Sequence, residues 1–460
     1  MKRLFIPITV ILVLASAFAL GACVAPAPQA PAAPAAEEAA PPQEEAPAAA
    51  EAPSAEAPVT IQVYYPVAVD APIADILNGY VADFQAEHPN ITVEPVFSGG
   101  YGDVKTAIQT AVDGGAAPPA LAVMLATDLY DLVNADLIVP LDDYIAAMPD
   151  GEAYLSDFFP AFLANSRYDG KIWSLPFQRS AVVLYYNADL FKEAGLEPPD
   201  SWEALANAAQ ALTVREGDEV KRWGIEWPSG WPYWLFQPLA IGAGQNIVGE
   251  SDTEVIFDHP AVIEAVQFYI DLSKKYGAMP EGVQAVWGQA PSDFASGQTA
   301  MIVHSSGSLA GILKQADFEV GVMPIPGKEP GTYASVPGGG NLYIFKGAPK
   351  EQQDAAWQFI EFLTAPERAA DFSIQTGYIA TRVSAYETEA MQQYLAEVPQ
   401  AASTRDALQY AGAELSVQNL GEVRNIFHDY LQKAYNGEMS PAEAMAAAQQ
   451  AADEALADFR

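Results

Sequence analysis

Ser229-Gly230-Trp231-Pro232-Tyr233-Trp234 places two of the chain's eight tryptophans three positions apart. Two indoles in so short a segment either pack into a core or, displayed from a loop, offer large apolar faces as the wall of a site. Gly230 and Pro232 predict a loop here rather than regular helix. Further along, Ser305-Ser306-Gly307-Ser308 combines hydroxyls with a helix start, where free N–H groups also attract oxygen ligands. Gly338, Gly339 and Gly340 permit either a turn or close approach of backbone to a ligand. Each feature has a plainer use too, since aromatics mostly bury and serines mostly cap.

No catalytic set stands out. The four histidines, His88, His259, His304 and His428, are scattered without H-x-x-x-H spacing, and one cysteine cannot complete a zinc set. His304 beside Ser305 invites a hydrolase reading, but Gly307-Ser308-Leu309-Ala310-Gly311 does not fit G-x-S-x-G. Among 59 acidic residues no carboxylate pair is singled out by its surroundings. No catalytic residue, metal or cofactor is therefore expected. Arg179, between Phe177 and the apolar run of residues 181–186, sits at a boundary with an unknown target.

The elements that must carry these residues read as α/β. Val59, Ile61, Val63 and Tyr65 alternate as a strand; Ile73, Ile76, Leu77, Tyr80, Val81 and Phe84 repeat at helical spacing; Ile91, Val93 and Phe97 follow as a second strand. This is a βαβ unit with a parallel sheet, whose ligand-facing loops are residues 65–72 and 98–101. Strands are expected at 254–257 and 300–303, and helices at 259–276 and 352–364. A tail helix should begin at Ser440-Pro441-Ala442-Glu443, a cap with proline in the first turn and a carboxylate at the third position. With 460 residues, 50% of them hydrophobic, the chain can build two or more lobes, each with a core.

Charge narrows the partners. Lys plus Arg number 22 against 59 Asp plus Glu, a formal charge of -37 that repels phosphate backbones, so nucleic acid is excluded as a partner. Residues 1–22 read as a secretory signal peptide: Lys2 and Arg3, an apolar run, then small residues before Cys23. From residue 23 to 58 the chain is almost all Ala, Pro, Glu and Gln, an extended tether. Leu20-Gly21-Ala22-Cys23 resembles the lipobox of bacterial lipoproteins, which implies lipidation of Cys23 and anchoring to the cell membrane, at the cell surface or facing a periplasm. As the only cysteine, Cys23 leaves the fold without a disulfide.

A series of short stretches resembles one family: the solute-binding proteins of bacterial ABC importers, in the branch that includes glycerol-3-phosphate-binding and maltodextrin-type proteins. The series includes Gly170-Lys171-Ile172-Trp173-Ser174-Leu175-Pro176-Phe177, Leu184-Tyr185-Tyr186-Asn187, Ser201-Trp202-Glu203, Phe294-Ala295-Ser296-Gly297 and Phe362-Leu363-Thr364-Ala365-Pro366-Glu367. The likeness to glycerol-3-phosphate binders rests on the Ser229 to Trp234 stretch, Ser305 to Ala310, Gly338 to Leu342, and Thr376-Gly377-Tyr378. It implies a two-lobed periplasmic-binding-protein-like fold of type II, each lobe a mixed sheet flanked by helices, with the ligand cleft between lobes. Residues 59–179 plus 341–375 would form the N-terminal lobe and 180–340 plus 376–460 the C-terminal lobe. The matching positions imply ligand contacts for Tyr101, Ser180, Trp231, Trp234, Ser306, Gly339 and Tyr378.

Two positions depart from the family. Its ligand-binding glutamate falls near Ala126, with Asp128 the nearest acid; its phosphate-binding arginine falls near Asn419, leaving Arg179 and Arg424 as the candidates to replace it. A bidentate guanidinium is the usual holder of such an oxyanion. The resemblance therefore implies a monomeric, lipid-anchored binding protein that delivers a polyol phosphate or a sugar to an ABC permease. A neutral mono- or oligosaccharide is the alternative ligand, and a surface-anchored carbohydrate-active enzyme or a ligand-free scaffold are the rivals from other classes.

Overall fold

The computed structural model describes residues 57–282 and 286–460. The signal peptide, Cys23 and all but the last two residues of the tether lie outside the described residues. Strand β1 (Val59–Tyr65), helix α1 (Ile73–Glu87) and strand β2 (Ile91–Phe97) form the expected unit, with β1 and β2 parallel from Val59 facing Ile91 to Tyr65 facing Phe97. Helix α1 buries Ile73, Ile76, Leu77, Tyr80, Val81 and Phe84, the set picked out by its periodicity. Helix α2 (Tyr101–Asp113) leads to strand β3 (Leu121–Leu125), which joins β1 in parallel on the side away from β2.

Strand β4 (Leu175–Asn187) decides the architecture. Its first half pairs antiparallel with a late strand, while its second half is flanked by β5 (Met301–Ser305) and β6 (Val320–Met323), both antiparallel to it. That late strand, β7 (Pro337–Ile344), lies between β4 and β3, antiparallel to both. Among the described residues the sheet runs β6, β4, β7, β3, β1, β2, with β5 also on β4. Leu175 and Phe177 belong to the same buried cluster as β1, α1 and β2, whereas Val182 and Leu184 belong to another, with Trp202, Leu235 and Phe427. One strand thus runs out of the core of one lobe into that of the other. The fold is the mixed α/β, two-lobed one expected.

Two local expectations were corrected. The Ser229 to Trp234 segment does not stay a loop: Trp231 occupies the N-cap and Pro232 the first position of helix α3 (Pro232–Gly242). Proline there forfeits only an N–H that has no partner in the helix and brings a helical φ with it, so it starts the helix instead of breaking it. Residues 254–257 form no strand; Val255 makes a single bridge to Val248. The tail cap is as expected, with Ser440 and Glu443 in a reciprocal capping box. Among the described residues, no helix is long and apolar enough to cross a membrane.

Candidate ligand-binding cleft

The site forms where β4 and β7 cross between the lobes. Gly338 faces Ser180 and Gly339 faces Arg179 in register, so two glycines stand opposite the middle of the shared strand. A Cβ on Gly338 would lie 2.5 Å from the Trp234 indole, and one on Gly340 2.7 Å from the Tyr101 ring. Both rings therefore lie directly on backbone, which no larger residue would allow. Gly339 has φ +96, a conformation that L side chains rarely adopt.

Aromatic rings complete the wall. The Trp234 Nε1 donates to the Pro337 carbonyl at 2.9 Å, fixing the indole in the first turn of α3. Trp287 approaches it at 6.2 Å between centroids and donates its own Nε1 to the Ala68 carbonyl at 2.9 Å. Trp231 packs against the buried clusters of both lobes, with the Arg424 guanidinium 5.9 Å over its ring. Against Trp287, His304 stacks at 3.8 Å between centroids, its Nε2 lying 3.0 Å from the Trp287 carbonyl and its Nδ1 2.8 Å from the Ser308 hydroxyl. A carbonyl can only accept, so Nε2 carries the proton and Nδ1 accepts from Ser308. Burial pushes this imidazole down to about 4, which keeps it neutral and structural.

The enclosed space measures about 410 Å³, open solvent included. Six of the ten expected binding residues line it: Tyr101, Ser180, Trp231, Trp234, Gly339 and Tyr378. The other four do not. Asp128 is buried under an ion pair, its Oδ1 2.9 Å from Lys105. Ser306 turns its hydroxyl to accept from the Ala181 N–H at 3.0 Å, and its neighbour Ser305 lines the space instead. Arg424 is not among the lining residues, its guanidinium lying over the Trp231 ring. Arg179 is fully buried, with Nη1 donating to the Gly339 carbonyl and to Asn341 Oδ1, both at 3.3 Å, and Nη2 lying 3.7 Å from Glu414 Oε2.

Glu414 was not among the expected residues. It lines the space, is 6% exposed, and its Oε2 makes no hydrogen bond. Burial pushes its carboxyl up to about 8, against the pull of Arg179 and with the push of Asp128. The Tyr101 hydroxyl is also buried without a hydrogen bond of normal geometry. Asn419 points elsewhere, donating to Glu422 and to the Ala455 carbonyl. Residues 411–419 contain no helix or extended strand, so no periodicity in the sequence could show which side chain faces inward. Trp287, likewise missed, had only its type and the adjacent Gly288 as a signal.

An aromatic cavity between two lobes, closed by contacts from both, is the geometry of a binding protein that envelops a small ligand. The profile described as Bacterial extracellular solute-binding protein matches residues 79–399. The chain belongs to that family. The sn-glycerol-3-phosphate-binding periplasmic protein UgpB of Pectobacterium atrosepticum is 27% identical over 403 residues, covering 80% of this chain and 85% of that protein. Among solved structures, UgpB from Mycobacterium tuberculosis in complex with glycerophosphocholine superposes with TM-score 0.77 at 23% identity, over 88% of this chain and all of that one. The GacH receptor of Streptomyces glaucescens GLA.O, solved unliganded and with acarbose, gives 0.76 at 24% identity, with the same coverage of this chain and 100% of its own. This solute-binding protein is therefore a transporter component whose work is binding, not an enzyme.

Proposed function

We propose that this solute-binding protein captures a small polyhydroxylated ligand without a free phosphate, a carbohydrate or polyol, and hands it to an ABC permease. One observation carries the choice. Glu414 reaches the aromatic cavity with a carboxyl oxygen that makes no hydrogen bond, as does Tyr101 with its hydroxyl, while Arg179 donates to Gly339 and Asn341. A carboxyl with a vacant oxygen pairs with a sugar hydroxyl and offers a phosphate no cation. Among the described residues, no lysine or arginine lines the cavity. Trp231, Trp234, Trp287 and Tyr378 supply faces for the C–H side of a sugar ring, and Tyr101 and Ser180 supply hydroxyls.

The capture cycle follows from the division into lobes. Ligand held by residues of both lobes stabilises the closed form, because the open form loses half of the contacts. In this proposal the lobes comprise residues 59–179 plus 341–375 and 180–340 plus 376–460. The signal peptide of residues 1–22 is removed, Cys23 is lipidated, and the tether to residue 58 lets a monomer reach its permease from the membrane surface.

Ligand titrations of the purified full chain, followed by tryptophan fluorescence, test the reading. The panel comprises glycerol 3-phosphate, glycerophosphodiesters, glycerol, and mono- and oligosaccharides. Saturable binding of hydroxylated, phosphate-free compounds is expected, and tight binding of glycerol 3-phosphate alone would refute it. Loss of membrane association in a Cys23→Ser variant tests the anchor.

A further inference from the structure

Helix α3 brings three rings to the cavity from its first turn, Trp231, Tyr233 and Trp234. The start of a helix leaves N–H groups without partners inside it, and here the N-cap residue, Trp231, supplies no side-chain acceptor. Pro232 has no N–H to satisfy. The N–H of Leu235 closes back on the Trp231 carbonyl at 3.0 Å. That of Tyr233 donates instead to another helix, α4 (Leu420–Asn436), where His428 Nε2 accepts it at 3.3 Å. The imidazole also stacks on the Tyr233 ring, 5.5 Å between centroids and 25° between planes.

We infer that His428 is a positioning residue for this wall: its neutral imidazole holds Tyr233 and Trp231 at the cavity, and taking up a proton lets them go. The inference concerns the wall itself and holds for whichever ligand the cavity takes. An amide N–H only donates, so Nε2 must be the bare nitrogen of the ring. A proton there removes the acceptor and sets a donor against a donor. It also places positive charge at the N-terminus of α3, the end that favours anions.

The surroundings work in the same direction. Arg424, one turn before His428 on α4, lies 5.9 Å over the Trp231 ring, so a charged His428 would stand beside a second cation. Asp429 follows His428 in the chain and, with Tyr269 and Tyr435, lines the pocket that His428 borders. Glu414, Arg424 and Asp128 act on the Tyr233 hydroxyl. Burial, helped by Arg424, pushes the imidazole down to about 4, so the ring is neutral at pH 7 and the bond to Tyr233 is made. Once Tyr233 is released, water reaches the ring and its affinity for a proton returns toward the ordinary 6.5, which couples release to acid. Trp234 is pinned separately, its Nε1 donating to the Pro337 carbonyl at 2.9 Å. Trp231 and Tyr233 are therefore the rings that depend on His428, and a ligand resting on them is released in acid.

The test labels the full chain with 5-fluorotryptophan and follows its fluorine spectrum from about pH 7.5 to about pH 5, the range in which a histidine of ordinary affinity titrates. Trp231→Phe and Trp234→Phe assign the two resonances. In the wild type the Trp231 resonance should move progressively as pH falls, while that of Trp234 holds still. His428→Gln keeps an acceptor near the place of Nε2 and cannot take up a proton there, so both resonances should hold still across the range. His428→Leu should show the acid position of Trp231 already at neutral pH, and if it folds poorly the comparison of wild type with His428→Gln decides alone. A Trp231 resonance that ignores pH in the wild type, or that moves equally in His428→Gln, overturns the inference. Equal movement of Trp234 overturns it as well, since that reports a general response to acid and not release of one turn.

Discussion

Arg179 and Glu414 face each other in the interior at 3.7 Å, 0% and 4% exposed, without a hydrogen bond between them. Burial pushes the guanidinium down and the carboxyl up, each away from its charged form. The pair is thus close enough to moderate two desolvation penalties and too far apart to cancel them.

Removing Arg179 should expose that imbalance. Arg179→Ala leaves Glu414 buried without a cation and empties the space beside Asn341, for a loss of about 3–5 kcal/mol. Urea unfolding measures it, and Arg179→Ala combined with Glu414→Leu should recover part of the loss. Additive losses in the double variant would show that the two residues do not interact.

The pH dependence of the same carboxyl has a definite sign. In the folded chain it keeps its proton up to about pH 8, against an ordinary value of 4.5, so between these limits the folded state binds a proton that the unfolded state has released. Its contribution is fully present below pH 4.5 and is lost as pH rises through 8, by at most about 5 kcal/mol. Glu414→Gln should therefore gain stability relative to wild type between pH 5 and pH 8.5. A difference that does not change with pH contradicts the assignment.

His304 acts in the opposite direction. Its folded value of about 4 lies below the ordinary 6.5, so the unfolded chain takes up a proton that the folded chain refuses. Stability is lost as pH falls from 6.5 toward 4, by up to about 3 kcal/mol. A His304→Gln variant should show a shallower loss over that range in thermal unfolding, and an unchanged slope would place the titration elsewhere.

Two tryptophan contacts should separate affinity from fold. Trp287→Phe keeps a ring against His304 and Trp234 but removes the donor to Ala68, a hydrogen bond worth about 1 kcal/mol. Ligand dissociation should quicken about fivefold with little change in association, measured by stopped-flow fluorescence. An unaltered dissociation rate would mean that the link does not hold the closed form.

At Gly338 a single methyl group should be felt. Gly338→Ala sets Cβ 2.5 Å from the Trp234 ring, so the indole must move off the strand, at about 1–3 kcal/mol. Affinity for any ligand stacked on Trp234 should fall by at least tenfold while near-ultraviolet dichroism reports a displaced tryptophan. Wild-type affinity in this variant would remove Trp234 from the site.

Much of the frame was legible because it depends on local pattern. The β1, α1, β2 unit followed from alternation and helical spacing, and the Ser440 cap from residue types at fixed offsets. Failures arose where tertiary contacts choose among local options. Gly230 and Pro232 fit a loop or a helix start equally well, and packing of Trp234 on Gly338 selects the helix. Ser305 and Ser306 are interchangeable by type, but the Ala181 N–H claims the hydroxyl of Ser306. Glu414 carried no signal at all, since its importance comes from Arg179, more than two hundred residues earlier in the chain.

Strand β7 fills the gap between β3 and β4, yet it comes about two hundred residues after β3. While the chain is being made or threaded through a membrane, β3 has only β1 beside it, and β4 has no partner until β5 arrives. Two apolar strands thus wait with open edges, the condition in which chains join one another edge to edge. Productive folding of this protein depends on keeping nascent chains apart until residue 344 has emerged, so a holding chaperone or slow, dilute refolding should govern its yield more than its final stability does.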